Sequence, residues 1–90
     1  MTKASKFGGY LKTRRLASGL SQLEVAEKLG YSTPQFISNW ERGASLPPVK
    51  VLKVLGKLYG ISDKELFDRT LSVVVESASL SYKQKFKEAN

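Results

Sequence analysis

Residues Ser21 to Gly43, "SQLEVAEKLGYSTPQFISNWERG", decide how the rest of this chain is read. Ser21 and, three residues on, Glu24 form the pattern of a capping box. The hydroxyl takes the N–H of the third helical residue, and the carboxylate reaches back to the cap. Val25, Ala26 and Leu29 follow at helical spacing as an inward stripe, and Gly30 supplies the left-handed residue wanted just past a C-terminus. The pattern predicts a helix of about nine residues.

After the glycine turn, Thr33 reads as an N-cap and Pro34 as the first residue of a helix running to Arg42. Proline suits that position and pushes its predecessor into the extended conformation of a cap. At about 100° per residue, Phe36, Ile37 and Trp40 fall on one side of this helix, and Gln35, Ser38, Asn39 and Arg42 fall on the other. The first set has the size and spacing of a core face. The second is unusual, because a solvated helix more often carries Lys and Glu in (i, i+4) pairs, and Asn and Ser are poor helix formers. An amide can bond adenine bidentately through N6 and N7, and a hydroxyl suits several bases. This face therefore has the chemistry of a helix laid in a DNA major groove.

Working outward, Phe7, Leu11 and Arg15 share one face of a first helix that ends near Ala17, with Gly19 just beyond it. Downstream, "GASLPP" is a loop. A fourth helix runs from Pro48 to Tyr59, with Val51, Leu52, Leu55, Leu58 and Tyr59 inward and Gly60 as its stop. Ser62 and Glu65 repeat the capping box and open a fifth helix that returns Leu66 and Phe67 to the core. No strand is needed for residues 7 to 67, so the fold class is all-α with five helices. Beyond them, "LSVVVES" could be a strand, since adjacent valines favour extended structure. Leu71, Val74, Val75 and Ala78 instead continue the fifth helix, which is the preferred reading. "SYKQKFKEAN" is a basic amphipathic end segment or a frayed tail. Residues 1–69 are taken as the domain and residues 70–90 as a C-terminal extension.

The 90 residues fit one domain, and 41% hydrophobic content suffices for a small core. With no cysteine and no histidine, disulfide frameworks, Cys/His zinc sites and histidine acid/base chemistry are excluded. No metal or cofactor is expected. An enzyme would need paired carboxylates or a serine–lysine pair, whereas the acidic residues read as caps and helix-surface positions; no catalytic residue is assigned. The apolar runs fall short of the roughly 20 residues of a membrane span, and "MTKASKFGGY" has no apolar core after its lysines. A cytoplasmic protein without signal peptide or membrane association is the expectation. Charge is uneven: residues 1–57 carry ten Lys/Arg against Glu24, Glu27 and Glu41, a net +7, while residues 58–90 carry five of each sign. A basic half with a neutral tail fits a polyanion-binding domain, whose cations release condensed counterions from a phosphate backbone. A solubilising basic surface is the alternative, and Lys3, Lys12 and Arg14 read as a solvated face.

With "YLKTRRLASGL" before it and "LPPVKVLKVLGKLYGISDKEL" after it, the opening stretch resembles the helix-turn-helix domain of the phage repressor and Cro family, the XRE-type regulators. The resemblance covers roughly Phe7 to Phe67. It implies a five-helix lambda-repressor-like domain in which the second and third helices form the helix-turn-helix and the third enters the major groove. It also implies roles. Gln22 matches the glutamine that bonds a DNA phosphate and braces the recognition helix, Ala26 the small residue between the two helices, and Gly30 the turn glycine. Ile37 and Trp40 match buried positions, and Arg15 and Glu41 match an ion pair that fixes geometry. Gln35, Ser38 and Asn39 match positions that reach base edges, while Ser45, Lys50 and Arg42 fall to the DNA backbone. One feature departs from the pattern: the step from Gly30 to Glu41 is eleven residues, one longer than usual. The extra residue falls among Tyr31, Ser32 and Thr33, or else the helix starts at Thr33 with Ser32 as its cap.

The function expected is sequence-specific binding of double-stranded DNA by a homodimer, as a transcriptional regulator and repressor. The alternative is a DNA-anchored, antitoxin-like or accessory factor whose residues 70–90 bind a protein partner.

Overall fold

Hydroxyl caps open the first, second and fifth helices. Thr2 accepts the N–H of Ser5 at 3.1 Å ahead of α1 (Lys3–Ala17), and Ser21 that of Glu24 at 3.0 Å ahead of α2 (Gln22–Lys28). Ser62 accepts from Glu65 at 3.2 Å ahead of α5 (Asp63–Glu88). α3 (Gln35–Glu41) and α4 (Val49–Tyr59) instead follow Pro34 and Pro48. This computed structural model describes residues 2–89, and among them there is no strand. At Ser21 the capping box closes in both directions, with Glu24 Oε1 accepting the Ser21 N–H at 3.0 Å. At Ser62 only the forward bond forms, and Glu65 lies 3.5 Å from Arg69 instead.

The ends of α1 to α4 share one closure. Gly19, Gly30, Gly43 and Gly60 take positive φ, and the next N–H reaches back five residues to a helical carbonyl. These bonds are Leu20 to Arg15 (3.3 Å), Tyr31 to Ala26 (2.9 Å), Ala44 to Asn39 (2.9 Å) and Ile61 to Gly56 (2.8 Å). The closure satisfies carbonyls that the helix leaves orphaned, and it turns Leu20, Tyr31 and Ile61 back toward the core.

The core gathers Phe7, Leu11, Val25, Ala26, Ile37, Trp40, Leu52, Leu55, Tyr59 and Leu66 around α1, which packs against α3, α4 and α5. Two glycines set how closely α3 approaches α1. A Cβ on Gly8 would stand 2.5 Å from the Glu41 carbonyl oxygen and 2.6 Å from that of Trp40; one on Gly43 would stand 2.6 Å from Ser5 Cα. The C-terminal turn of α3 therefore lies against the first turns of α1 at a distance that side chains forbid.

Several expectations are corrected. Phe36 is 53% exposed while its neighbours Ile37 and Trp40 are buried. The core direction of this short helix lies between those two, so Phe36 projects from the flank. Phe67 is likewise exposed beside buried Leu66, a rotation of about 100° along the helix. Val51 and Leu58 are only partly buried. α3 starts one residue later than expected: the Pro34 carbonyl accepts the first helical bond, from Ser38 at 3.0 Å. The N-cap is therefore Pro34, which offers no side-chain cap bond, and Thr33, one position further out, makes only a long 3.4 Å contact from Oγ1 to the Gln35 N–H, so the expected threonine cap is replaced by proline.

The tail continues α5 without a break, a 26-residue helix about 39 Å long. Near its middle it touches the body through Val73, the only one of the three adjacent valines that is buried, and through Glu76, whose Oε1 accepts the Lys3 N–H at 3.0 Å. Ala78, Leu80 and Ser81 still border a hollow shared with Thr2, Ala4 and Leu46, and past them the helix projects as an arm, which accounts for overall extents of 51 × 28 × 23 Å.

Candidate nucleic-acid interface

The last residue of α3, Glu41, ties three helices together. Its carboxylate accepts Arg15 Nε–H at 2.6 Å and Nη2–H at 3.0 Å from α1, and the Gln22 amide at 3.0 Å from the start of α2. Arg15 also donates from Nη1 to the Leu20 carbonyl at 2.9 Å. Both charged side chains are almost wholly buried, at 7% and 4% exposure. The hydrogen bonds to Glu41 outweigh burial and hold the Arg15 guanidinium above its usual pKa. Ile37 and Trp40 anchored in the core and Glu41 clamped hold α3 against α1 and α2 through contacts within the protein itself. Gln22, assigned to a phosphate from the sequence, makes its bracing bond here within the protein.

On the side of α3 away from the clamp, Gln35 and Arg42 are exposed and Asn39 is half-buried. There Asn39 Oδ1 accepts from Gln35 Nε2 at 2.9 Å and from Arg42 Nη2, joining three side chains one turn apart into a single ridge. Both lone-pair directions of that oxygen are engaged. The ridge still offers the two Asn39 N–H donors, the Gln35 carbonyl oxygen and the remaining Arg42 donors. A bidentate bond from Asn39 to adenine requires one of the two internal bonds to open, since Oδ1 must accept from N6. Ser38 lies half-buried on the flank. Ser45, in the loop after α3, and Lys50, in the first turn of α4, are both exposed and stand apart from the ridge in sequence and in fold.

Two features of the site escaped sequence reasoning. Arg14 is not a solvated cation: its Nη2 donates to the Tyr59 carbonyl at 3.0 Å and to that of Gly60 at 2.8 Å, closing the C-terminus of α4. Lys3 and Lys12 are exposed as expected. Beside the ridge, Tyr31 and Phe36 form an aromatic shelf with ring centres 5.0 Å apart, resting on Trp40 at 6.1 and 6.3 Å. Tyr31 belongs to the lengthened turn, so the extra residue brings an aromatic side chain to the edge of α3. The spacing of Tyr31, Phe36 and Trp40 was visible; which of them was buried was not.

Among the described residues no cluster of acidic side chains is arranged to hold a metal ion, and no helix is long and apolar enough to cross a membrane. A helix-turn-helix family model matches residues 11–66, from the middle of α1 to the first turn of α5 and more than half the chain. No curated protein and no solved structure matches it. A matched segment that contains α2, the turn, α3 and the Arg15–Glu41 clamp places the chain in the helix-turn-helix family of XRE-type, phage repressor and Cro-like DNA-binding proteins.

Proposed function

We propose that the protein binds a specific duplex-DNA sequence as a homodimer and regulates transcription as a repressor, with half-sites about one helical turn apart. The observation that carries this reading is the polar ridge of Gln35, Asn39 and Arg42, with Gln35 and Arg42 exposed and Asn39 half-buried between them, on a helix whose other side is clamped. In this reading Gln35, Ser38 and Asn39 meet base edges, and Gln22, Ser45, Lys50 and Arg42 meet phosphates. Residues 1–69 supply the DNA-binding unit and residues 70–90 the dimer contact. The net +7 of residues 1–57 supports the polyanion as partner. A cytoplasmic location and a non-catalytic role belong to the same proposal.

Selection of bound sequences from a random duplex library at near-physiological salt tests it. Enrichment of an inverted repeat is the expected outcome. Binding without enrichment that vanishes as salt rises would sink the specific reading. The exposed valines of α5 favour a second reading, a DNA-anchored accessory or antitoxin-like factor that holds a protein partner through residues 70–90. Co-purification of a stoichiometric partner dependent on those valines would support it.

A further inference from the structure

Phe36 is the apolar side chain of α3 that the core does not take. It stands about 100° around the helix from Gln35 and about 60° from Asn39, on the border between the buried face and the ridge. Its ring is 53% exposed, where Ile37 and Trp40 are 1% and 4%. Two aromatic rings back it, Tyr31 at 5.0 Å and Trp40 at 6.3 Å between centres. Tyr31 comes from the lengthened turn, so the extra residue there supplies part of this support. The result is an apolar surface, held from behind, beside the hydrogen-bonding amides of Gln35 and Asn39.

We infer that Phe36 reads a pyrimidine C5-methyl group in the major groove, that of a thymine close to the adenine bonded by Asn39 or Gln35. The inference rests on the sequence-specific DNA binding proposed above and adds a residue and a base to it. Base edges in the major groove carry two kinds of signal: adenine presents N6 and N7 to an amide, and thymine presents a methyl group to an apolar surface. Covering that methyl releases water from both partners, a gain that the amides of the ridge do not provide. Phe36 and Asn39 are three residues apart on the helix, with Cβ atoms about 5–6 Å from each other. Bases follow one another at about 3.4 Å along a strand, so a ring at that offset lies about one to two steps from the adenine. The competing role for Phe36 is a lid over Trp40, which makes no demand on the DNA.

Uracil differs from thymine by this methyl alone, so replacing dT with dU position by position in a selected operator isolates the contact. Fluorescence anisotropy with the full chain should find one position per half-site, close to an adenine whose preference Gln35→Ala or Asn39→Ala relaxes, at which dU weakens binding about fourfold, the effect of one buried methyl-sized group. This scan uses the unmodified protein and needs no variant to fold. Phe36→Ala should then bind the dT and dU duplexes equally, and Phe36→Leu, which keeps an apolar side chain, should retain part of the preference; circular dichroism checks that both stay helical. 5-Methylcytosine carries the same methyl group. With a C·G pair at that position, methylating the cytosine should recover affinity, and a methylated duplex that binds more tightly than the thymine duplex would overturn thymine as the source. A dU penalty that survives in Phe36→Ala would overturn the inference and leave Phe36 as the lid over Trp40. An enriched operator in which no dU substitution matters would overturn it as well, with specific binding left standing. A selection that enriches no operator would remove the specific-binding reading itself, and this inference with it.

Discussion

Arg15 and Glu41 meet in a two-pronged pair, with Nε to Oε2 at 2.6 Å and Nη2 to Oε1 at 3.0 Å, at a point where α1, α2 and α3 converge. A buried pair of this kind adds little over a well-packed apolar replacement, but removing one partner strands a charge. Glu41→Leu or Arg15→Met should each destabilise the protein by about 3–5 kcal/mol. The double variant Arg15→Met with Glu41→Leu should cost clearly less than the sum. Denaturant unfolding of the three variants measures this, and additive losses would show that the two side chains act independently.

The adjacent glycines of α1 should respond in opposite directions. Gly8→Ala forces a Cβ to 2.5 Å from the Glu41 carbonyl oxygen, so the helices must separate. A loss of about 1–3 kcal/mol is expected from such overpacking. Gly9 has open space around its Cβ position and a helical backbone. Gly9→Ala should gain about 0.5–1 kcal/mol from helix propensity and reduced unfolded-state entropy. Melting temperatures of the two variants compared with the parent decide the matter.

On a selected operator, Gln35→Ala and Asn39→Ala should each weaken binding by about 1–3 kcal/mol and relax preference at single base pairs. Because Asn39 Oδ1 already bonds Gln35 and Arg42, the two effects should be non-additive in a double-mutant cycle. Lys50→Ala should weaken all sequences alike and lower the salt slope by about one unit. Fluorescence anisotropy across a salt series separates the two behaviours.

Burial, reinforced by the nearby Glu41 carboxylate, pushes the Tyr59 hydroxyl from 10.0 up to about 12. Between those values the unfolded chain has released this proton and the folded chain still holds it, so the folded state binds more protons and stability falls as pH rises. The contribution is complete below pH 10 and lost through about 12. Tyr59→Phe should flatten the alkaline arm of a stability–pH profile over that window and leave the neutral region unchanged in slope.

Much of this architecture is written in local chemistry. A hydroxyl three residues before a carboxylate opens α2 whatever surrounds it, and a glycine followed by an apolar residue ends α1, α2 and α4, because those bonds close within a few residues. Helical period separates the apolar side of α3, which holds Ile37 and Trp40, from its polar ridge. The linked motifs of the helix-turn-helix were legible for the same reason, and with them the family. The lengthened turn was also countable, although its outcome, Tyr31 beside Phe36, was not.

What only the tertiary structure decided concerns direction and distance between elements. Two neighbouring apolar residues of a helix differ by about 100°, so period alone cannot say that Ile37 is buried while Phe36 is exposed, or that Leu66 is buried while Phe67 is exposed. Nor does sequence spacing reveal that Gly8 faces a carbonyl of α3, that Arg14 closes α4 from α1, or that Val73 rather than Val74 docks α5. Each depends on where a second helix passes, and that is set by the packing of all five helices together. Local hydrogen bonds determine where the helices begin and end; the choice of which face is covered belongs to the assembled core.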